Sequence, residues 1–347
     1  MVCLITFSTA CSDGYIDDIS EVAQGNDITA PTVQIVSPTG NLFIPSSASG
    51  ANVKFQYKVV DDIEIGSVDV YLDGVKIESK NSFLDYRIYN GTYSYNNLST
   101  GSHTIKVDAK DKTGKATSQS FTFTVDKYTK KSPYETLYMP FSGGNVFTDV
   151  ISTNNPTVIG SPNTVSNGYS GSAYGGSGNS YLTFPLSGLY SVDGVSFTFW
   201  YKLNSSPDRA GIITINDDAD NSNENRKKGF RLFREGNTTS QTIKLNLGIG
   251  GDESWNDGGA LTVNNQWVHI AVTISKTESK IYFDGVLVRT APYNTPFDFS
   301  SSSNIVIGSG APSFSYWGHN SDLSLIDEIR VYNKALDQNE VTASKSY

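Results

Sequence analysis

The clearest fold signal in the chain is NNQWVHIAVTISKTESKIYFDGVLV, residues 264–288. Within it, Trp267–Ser275 has apolar side chains on both faces of a β alternation, which is typical of a strand between two packed layers. Asp284-Gly285 then separates two further strand-like runs. Asp-Gly favours a tight hairpin because a type I′ turn needs positive φ at both central residues. The stretch therefore predicts the middle of an all-β sandwich.

Strand-like runs continue on both sides of this stretch, and no convincing long helix interrupts them. Ten or more runs within residues 137–347 predict one jelly-roll domain. Asp337 and Glu340 have the spacing of a capping box, which predicts a short helix at the end. The main runs are Tyr181–Phe184, Val195–Leu203, Gly211–Ile215, Gly229–Arg234, Ile243–Ile249, Trp267–Ser275, Lys280–Phe283, Val286–Thr290, Ile305–Gly308 and Leu325–Tyr332.

Three blocks of this region resemble the laminin-G-like, concanavalin A-like jelly roll. They are VSFTFWYKL (195–203), residues 264–288 as quoted above, and SLIDEIRVYNKALDQNEV (324–341). The segment LYMPFSGGNVFTDVI (137–151) resembles the opening strand and turn of that family. The resemblance covers most of residues 137–347, and it implies a two-sheet sandwich of the kind found in lectins and glucanases.

The same resemblance implies a structural calcium ion near the opening turn and the final strand. The matching positions run from Gly143 to Asp149 and include Asp327, with Asp149 and Asp327 as side-chain ligands. Ca²⁺ takes about six to eight oxygen ligands, many of them carboxylates and backbone carbonyls. Ser142 stands where the family commonly has an Asp, so one acid is missing. The alternative is that these acids are solvated turn residues.

The N-terminal part of the chain carries another series of short strands. Residues 53–59, VKFQYKV, alternate apolar and polar side chains, and Asp73-Gly74 marks a tight hairpin. About seven such strands within residues 30–127 predict an immunoglobulin-like sandwich. The segments resemble bacterial Ig-like domains that act as spacers beside carbohydrate-active modules. A polar stretch, residues 128–136, is interpreted as the linker to the second domain.

Composition and motifs exclude several classes of function. The 347 residues include 26 Lys and Arg against 35 Asp and Glu, so the net charge is −9 and nucleic acid is not an expected partner. Three His and two Cys are too few for a His-rich zinc site or a disulfide scaffold. A retaining glycosidase needs two close carboxylates. The nearest acidic pair, Asp327-Glu328, is predicted to point to opposite faces of a strand.

The first residues resemble the end of a bacterial lipoprotein signal peptide. MVCLITFSTA (1–10) is a short apolar run that ends in small residues, and Cys11 is then the residue that such proteins lipidate. The acidic residues after Cys11 resemble the surface-export signal of Bacteroidetes lipoproteins, and residues 12–29 predict a polar tether. These resemblances imply a lipid anchor in the outer membrane, facing the cell surface. The alternative is an unprocessed apolar N-terminus.

Aromatic residues in polar loops are the candidates for a ligand site. Sugars are bound by aromatic rings against their C–H faces and by polar side chains at their hydroxyls. Residues 250–259, GGDESWNDGG, predict a loop that displays Trp255 between Asp252 and Asn256. The alternative is that Trp255 folds back as a lid over the edge of the sandwich.

Two further polar loops add candidates. Residues 311–322 display Tyr316 and Trp317, and residues 216–228 carry Arg226 among several Asp and Asn residues. If the intervening strands run up, down and up, the loop 216–228 emerges beside Trp255. That arrangement brings Trp255 close to Asn221, Asn223 and Arg226. Whether the loop 311–322 joins them depends on the order of the strands, and Trp317 has the same lid alternative as Trp255.

Together these features predict non-catalytic capture of a polysaccharide or oligosaccharide by a cell-surface lipoprotein of a glycan-uptake system. An outer-membrane glycan transporter is a further expected partner. Two alternatives remain open. A glycoside hydrolase or lyase on the same fold would need an acid in a cleft, and an adhesion module for another protein would need an exposed apolar patch.

Overall fold

The computed structural model describes residues 26–144, 146–152, 155–219, 222 and 226–347. The proposed signal peptide, the lipidated Cys11 and most of the tether at 12–29 lie outside these residues. The described part of the chain is almost entirely β-structure, which confirms the all-β prediction. Within it, no helix has the length and apolar character that crossing a bilayer requires.

The first eight strands form two sheets of an Ig-like sandwich. One sheet has the order β1-β3-β6 and the other β2-β8-β7-β4-β5. The strand around Val53–Val59 buries alternate residues as its sequence predicts, among them Phe55 and Tyr57. The bounds are β1 Thr32–Ser37, β2 Leu42–Ile44, β3 Ala51–Val60, β4 Ile65–Leu72, β5 Val75–Lys80, β6 Ile88–Leu98, β7 Gly101–Asp111 and β8 Ala116–Lys127.

The remaining strands form the two sheets of a jelly roll. The seven-stranded sheet has the order β10-β13-β22-β15-β16-β17-β18. The other has the order β11-β12-β23-β14-β19-β20-β21, and β9 pairs with β23. The bounds are β9 Glu135–Met139, β10 Thr157–Ile159, β11 Asn163–Ser166, β12 Ser172–Gly175, β13 Tyr181–Pro185, β14 Gly194–Lys202, β15 Arg209–Ile215, β16 Phe230–Gly236, β17 Ser240–Gly248, β18 Glu253–Thr262, β19 Trp267–Ser275, β20 Glu278–Phe283, β21 Val286–Pro292, β22 Asn304–Ile307 and β23 Leu325–Tyr332, followed by the helix α1 Gln338–Ser344.

Strand β19 lies between two packed layers, as its sequence predicts. Its inner face contributes Ile270 and Val272 to the core between the sheets. Its outer face contributes Ala271 to a smaller cluster that includes Val341 of α1. The helix itself begins with the predicted capping box, in which Asp337 and Glu340 satisfy each other's backbone N–H groups. Both predictions from the C-terminal sequence are thus confirmed.

The predicted linker is shorter than expected, because its last residues belong to the jelly roll. Strand β9 begins at Glu135 and pairs with β23. The fully buried Glu135 carboxylate lies 2.6 Å from Nη1 of Arg330, and the Tyr128 hydroxyl also contacts this pair. Glu135 lies in a polar segment, so the sequence predicted a linker there. Its buried partner Arg330 lies on β23, far along the chain.

The prediction that Asp327 and Glu328 point to opposite faces is wrong. Glu328 has a φ of +55°, and the pairing of β14 with β23 shifts register at this point. Such a bulge breaks the alternation of side chains. The core side chains of this strand are Ile326 and Ile329, so both acids lie off the inner face.

A buried ion pair holds the seven-stranded sheet to the segment that follows β22. Nη2 of Arg234 lies 2.9 Å from Oδ1 of Asp322, and neither side chain has any exposed surface. The Tyr201 hydroxyl donates to the other carboxylate oxygen at 2.6 Å, and Nη1 of Arg234 donates to Gln241 at 2.6 Å. Each charge is therefore both paired and hydrogen-bonded, the condition under which burial of an ion pair is tolerated.

Removal of one partner tests this pair. We expect Asp322→Ala to lower the free energy of unfolding of the jelly roll by about 3–5 kcal/mol, because Arg234 is left buried without a counter-charge. All four tryptophans lie after residue 137, so tryptophan fluorescence during urea denaturation reports on this domain. Asp193→Ala is the matched control, since its pair with Lys276 is exposed and screened by solvent. Equal effects of the two variants would contradict the account.

Candidate binding site on the outer face of the seven-stranded sheet

The register of three neighbouring strands aligns polar and aromatic side chains on one face. Arg231 of β16 pairs with Asn246 of β17, and Asn246 pairs with Trp255 of β18. The neighbours Leu245 and Leu247 point into the core between the sheets. Because side chains alternate along a strand, Asn246 and Trp255 lie on the outer face.

Two tryptophans form an exposed platform on this face. Trp255 and Trp317 are 37% and 38% exposed, their ring centroids are 6.3 Å apart, and their planes differ by 23°. Tyr316 packs edge-on against Trp317 at 5.3 Å. The order of the strands thus brings the segment 311–322 to Trp255. The sequence alone had left this question open. Both indoles remain partly accessible to solvent and are not packed out of its reach.

Arg226 braces the platform from the third loop. Its guanidinium carbon lies 4.6 Å from the centroid of the Trp317 ring, a cation–π geometry. Its Nε donates to Glu253 at 2.9 Å, and Nδ2 of Asn246 donates to the same carboxylate at 2.8 Å. Glu253 therefore neutralises Arg226 and fixes its position over the indole. The polar rim of the platform carries both signs of charge.

Sequence reasoning missed Glu253. It lies two residues before Trp255, so on a strand both side chains share a face. Because GGDESWNDGG predicted a loop, the two-residue spacing of Glu253 and Trp255 did not indicate a shared face. Recognition of residues 253–262 as a strand would have identified Glu253.

An aromatic layer supports the platform from below. The ring of His319 stacks on Phe314 at 4.9 Å and 9°, and it meets Phe233 edge-on at 4.5 Å. Burial lowers the pKa of His319 to about 4, although a carboxylate oxygen of Glu235 lies 3.5 Å from Nε2. His319 is therefore neutral at physiological pH. Its neutral ring acts as a packing element beneath the indoles.

Arg231 lies deeper in the same face. It is fully buried, its guanidinium carbon lies 5.9 Å from the centroid of Phe314, and Nη1 donates to the backbone oxygen of Lys228 at 2.8 Å. Burial lowers the pKa of Arg231 to about 10, so it stays charged at neutral pH. Burial also raises the pKa of Tyr316, which keeps its hydroxyl a hydrogen-bond donor. The face thus combines apolar rings with fixed polar groups.

Comparison with protein families agrees with this architecture. Residues 175–342 match the model of the concanavalin A-like lectin/glucanases superfamily, laminin-G type, and residues 31–107 match that of the bacterial Ig domain. The chain therefore carries a bacterial Ig domain and a laminin-G-like domain. None of the curated proteins matches it in sequence.

Solved structures with a similar fold include several binding domains. Domain 4 of an extracellular arabinanase from Geobacillus stearothermophilus, in complex with arabinotriose, is 19% identical, with a TM-score of 0.46 over 60% of this chain and 97% of that one. The binding domain of botulinum neurotoxin serotype D is 16% identical, with a TM-score of 0.42 over 61% of this chain. The match spans 52% of the toxin chain, about half its length. Similarity at this level says nothing about what this chain binds.

The predicted site residues divide into two groups. Trp255, Trp317, Tyr316 and Arg226 come together on the outer face of the laminin-G-like domain, as described above. Asn256 does not reach that face. It is 1% exposed and its Nδ2 donates to the backbone oxygen of Ser279 in the facing sheet at 3.0 Å.

Strand alternation explains the error for Asn256, since it follows Trp255 on β18 and must point the other way. Asp252 lies in the exposed turn before β18, where its Oδ1 accepts from the backbone N–H of Glu253 at 2.9 Å. This hydrogen bond of Asp252 stabilises the turn. Asn221 and Asn223 lie outside the described residues.

The two calcium candidates hold separate backbone segments of the laminin-G-like domain. Asp149 is buried and accepts hydrogen bonds from the backbone N–H groups of Tyr138, Ile151 and Ser152. Oδ2 of Asp327 accepts from the backbone N–H of Ser170 at 2.9 Å. Both carboxylates thus already serve as acceptors.

Among the described residues, no group of three or more His, Cys, Asp or Glu side chains is arranged to hold a metal ion. Gly143 has a φ of +63° in the opening turn, and a Cβ there would lie 2.0 Å from the backbone oxygen of Asn41, so the turn requires glycine for steric reasons. The described His, Cys, Asp and Glu side chains thus do not form a calcium cage by themselves. The calcium ion stays a prediction from the family resemblance.

The acidic pair Asp327-Glu328 is also committed to structure. Glu328 accepts from the Tyr138 hydroxyl at 2.8 Å and lies 3.1 Å from Arg330. Burial raises the pKa of Asp327 to about 8 and also raises the pKa of Glu328. Both acids are buried beneath neighbouring residues, and neither lies on the platform face with the tryptophans. The pair offers no open cleft in which a glycosidic bond could be placed between two carboxylates.

The buried His319 predicts a pH effect on the laminin-G-like domain. Its folded pKa of about 4 lies below its ordinary value of 6.5, so its contribution to stability is complete above pH 6.5 and falls as pH drops towards 4. As the pH falls, His319 is protonated in the unfolded chain at a higher pH than in the folded chain, which favours unfolding. We expect His319→Gln to lose less stability than the wild type between about pH 7 and about pH 5. Urea midpoints by tryptophan fluorescence measure this, and identical pH slopes would contradict it.

Proposed function

We propose that the laminin-G-like domain binds a polysaccharide without cleaving it, through the platform of Trp255 and Trp317. The observation that supports this most is the pair of indoles, each more than one-third exposed, on a face that also carries fixed polar groups. Aromatic rings that are packed on one side and exposed on the other offer the apolar surface on which sugar C–H faces stack. Tyr316 extends the aromatic surface.

The polar rim supplies the second half of sugar recognition. Arg226 and Glu253 lie at the edge of the platform and are held by each other, so they lose little freedom when they meet a ligand. A guanidinium donates to hydroxyl oxygens and a carboxylate accepts from hydroxyl hydrogens. The paired charges favour a ligand rich in hydroxyls.

The chain would act at the bacterial surface. On this proposal Cys11 carries the lipid, residues 12–29 form the tether, and the Ig domain spaces the binding domain from the outer membrane. An outer-membrane glycan transporter is the partner that would take up the captured glycan. The family resemblance of the first eleven residues supports the anchor.

Alanine substitution of the platform tests the binding site. We expect Trp255→Ala and Trp317→Ala each to weaken polysaccharide binding roughly tenfold, since a lost ring costs about 1–3 kcal/mol in comparable stacking and about 1.4 kcal/mol is tenfold in Kd. Affinity electrophoresis on gels that contain arabinan, xylan, β-glucans or pectins measures the retardation.

Tyr86→Ala is the matched control, because Tyr86 is an exposed aromatic residue of the Ig domain. It should leave the retardation unchanged. Wild-type protein that no polysaccharide retards, or platform variants that bind as well as wild type, would overturn the proposal.

The anchor has its own test. We expect Cys11→Ala to remove incorporation of radiolabelled palmitate and to shift the protein from the membrane fraction to the soluble fraction, because Cys11 would bear the acyl chains. Cys3→Ala is the control and should change neither. A wild-type chain that takes up no palmitate would contradict lipidation.

A further inference from the structure

A separate groove lies on the same outer face as the tryptophan platform. Its volume is about 160 Å³. Pockets for drug-sized ligands span roughly 300–1,000 Å³, so this groove suits a smaller group. Its lining includes Tyr181, Thr183, Asn216, Asp218, Asn304 and Pro312.

The strand register places the groove and the platform on the same face of the sheet, at the two ends of a row whose middle residues are buried. Thr183 of β13 pairs with Val306 of β22, Val306 pairs with Thr214 of β15, and Thr214 pairs with Arg231 of β16. The row then continues through Asn246 to Trp255. Directly paired residues share a face of the sheet. The groove is therefore the far end of the row that ends in the platform.

Asn216 gives the groove an unused hydrogen-bonding group. The residue is 4% exposed, and its Oδ1 accepts no hydrogen bond among the described residues. A buried polar atom without a partner costs about 1–3 kcal/mol, so such an atom is unusual unless a ligand or water supplies the donor. It lies in the lining of an accessible groove, where a hydroxyl of a bound molecule can donate to the side-chain amide.

The rest of the lining matches a sugar ring. Tyr181 and Pro312 offer apolar surface, and Thr183 and Asn304 offer polar groups beside it. Asp218 adds a carboxylate, whose Oδ2 accepts from the backbone N–H of Ser303 at 2.6 Å. A carboxylate accepts from hydroxyls but repels an anionic ring.

We infer that this groove is a second subsite that binds one uncharged sugar ring of the same polysaccharide. The inference deepens the proposed function and rests on it. The segment 311–319 separates the two sites, because Pro312 lines the groove and Trp317 belongs to the platform. From β13 to β18 there are five strand spacings, about 24 Å at ~4.8 Å each. A chain long enough to reach both sites binds them together, and a short oligosaccharide occupies one.

Amide chemical shifts of the isotope-labelled chain test the groove directly. The probes are glucose, galactose, xylose and arabinose at high concentration, with glucuronate as the anionic comparison. We expect at least one neutral sugar to shift the amide signals of Asn216 and Tyr181. Asn216→Ala should abolish that response, and Trp255→Ala should preserve it. Asn90→Ala, an exposed amide of the Ig domain, is the matched control and should change nothing.

Chain length gives the second readout. With a polysaccharide that the wild type retains, Asn216→Ala should weaken binding about tenfold, because the gain from linking two sites is lost. Binding of a trisaccharide of the same glycan at the platform should not change. If a sugar shifts the amide signals of Trp255 and Trp317 but not those of Asn216 and Tyr181, the subsite is overturned and the proposed function stays intact. A silent groove and a silent platform overturn both, and a stronger groove response to glucuronate overturns the uncharged class.

Discussion

The buried pair between Arg234 and Asp322 is the interaction on which the arrangement of the tryptophan platform depends. Asp322 closes the base of the segment after β22, where its backbone N–H donates to Gly308 and where Ser309 bridges to Ser321. Everything between those anchors, from Pro312 to His319, is carried over the outer face of the sheet. Arg234 of β16 fixes Asp322, and the contacts of Asp322 and Ser321 with Gly308 and Ser309 close the segment, which keeps Trp317 beside Trp255. Without that fixation, ordering the aromatic rings would cost conformational entropy at the moment of binding.

Much of the fold follows from patterns that are local in sequence. The apolar alternation of Trp267–Ser275, the Asp284-Gly285 hairpin and the capping box at Asp337 each predict the element observed, because each is set by neighbours within a few residues. Such local patterns fail where a residue's conformation is set by a partner that is distant in sequence. Glu135 was assigned to a linker, since nothing nearby shows that its carboxylate pairs with Arg330 across the domain.

The candidate site also combines residues that local patterns indicate with residues that they misplace. Trp255 and Trp317 were chosen as candidates because an indole in a polar segment has no local reason to be there, and the structure places the two rings side by side and exposed. Asn256 was misplaced because residues 250–259 are rich in Gly and Asp, which favour loops. In the sheet, residues 253–259 of this stretch belong to β18, whose alternate residues face outward to solvent. The bulge at Glu328 breaks the alternation in a way that no sequence period reveals.

The row from Thr183 to Trp255 crosses the strands rather than following one of them. Neighbouring strands rotate by roughly 20–25° relative to each other, so five spacings turn the surface by about 100–125° from one end to the other. Thr214, Arg231 and Asn246 in the middle of the row are buried, so only its two ends are accessible. On the proposed function, a saccharide that contacts both ends must follow this turn. For that proposed ligand, a helically coiled chain would match the turn better than a stiff, flat one. If the proposal holds, the twist of the sheet favours saccharides whose own coil follows it.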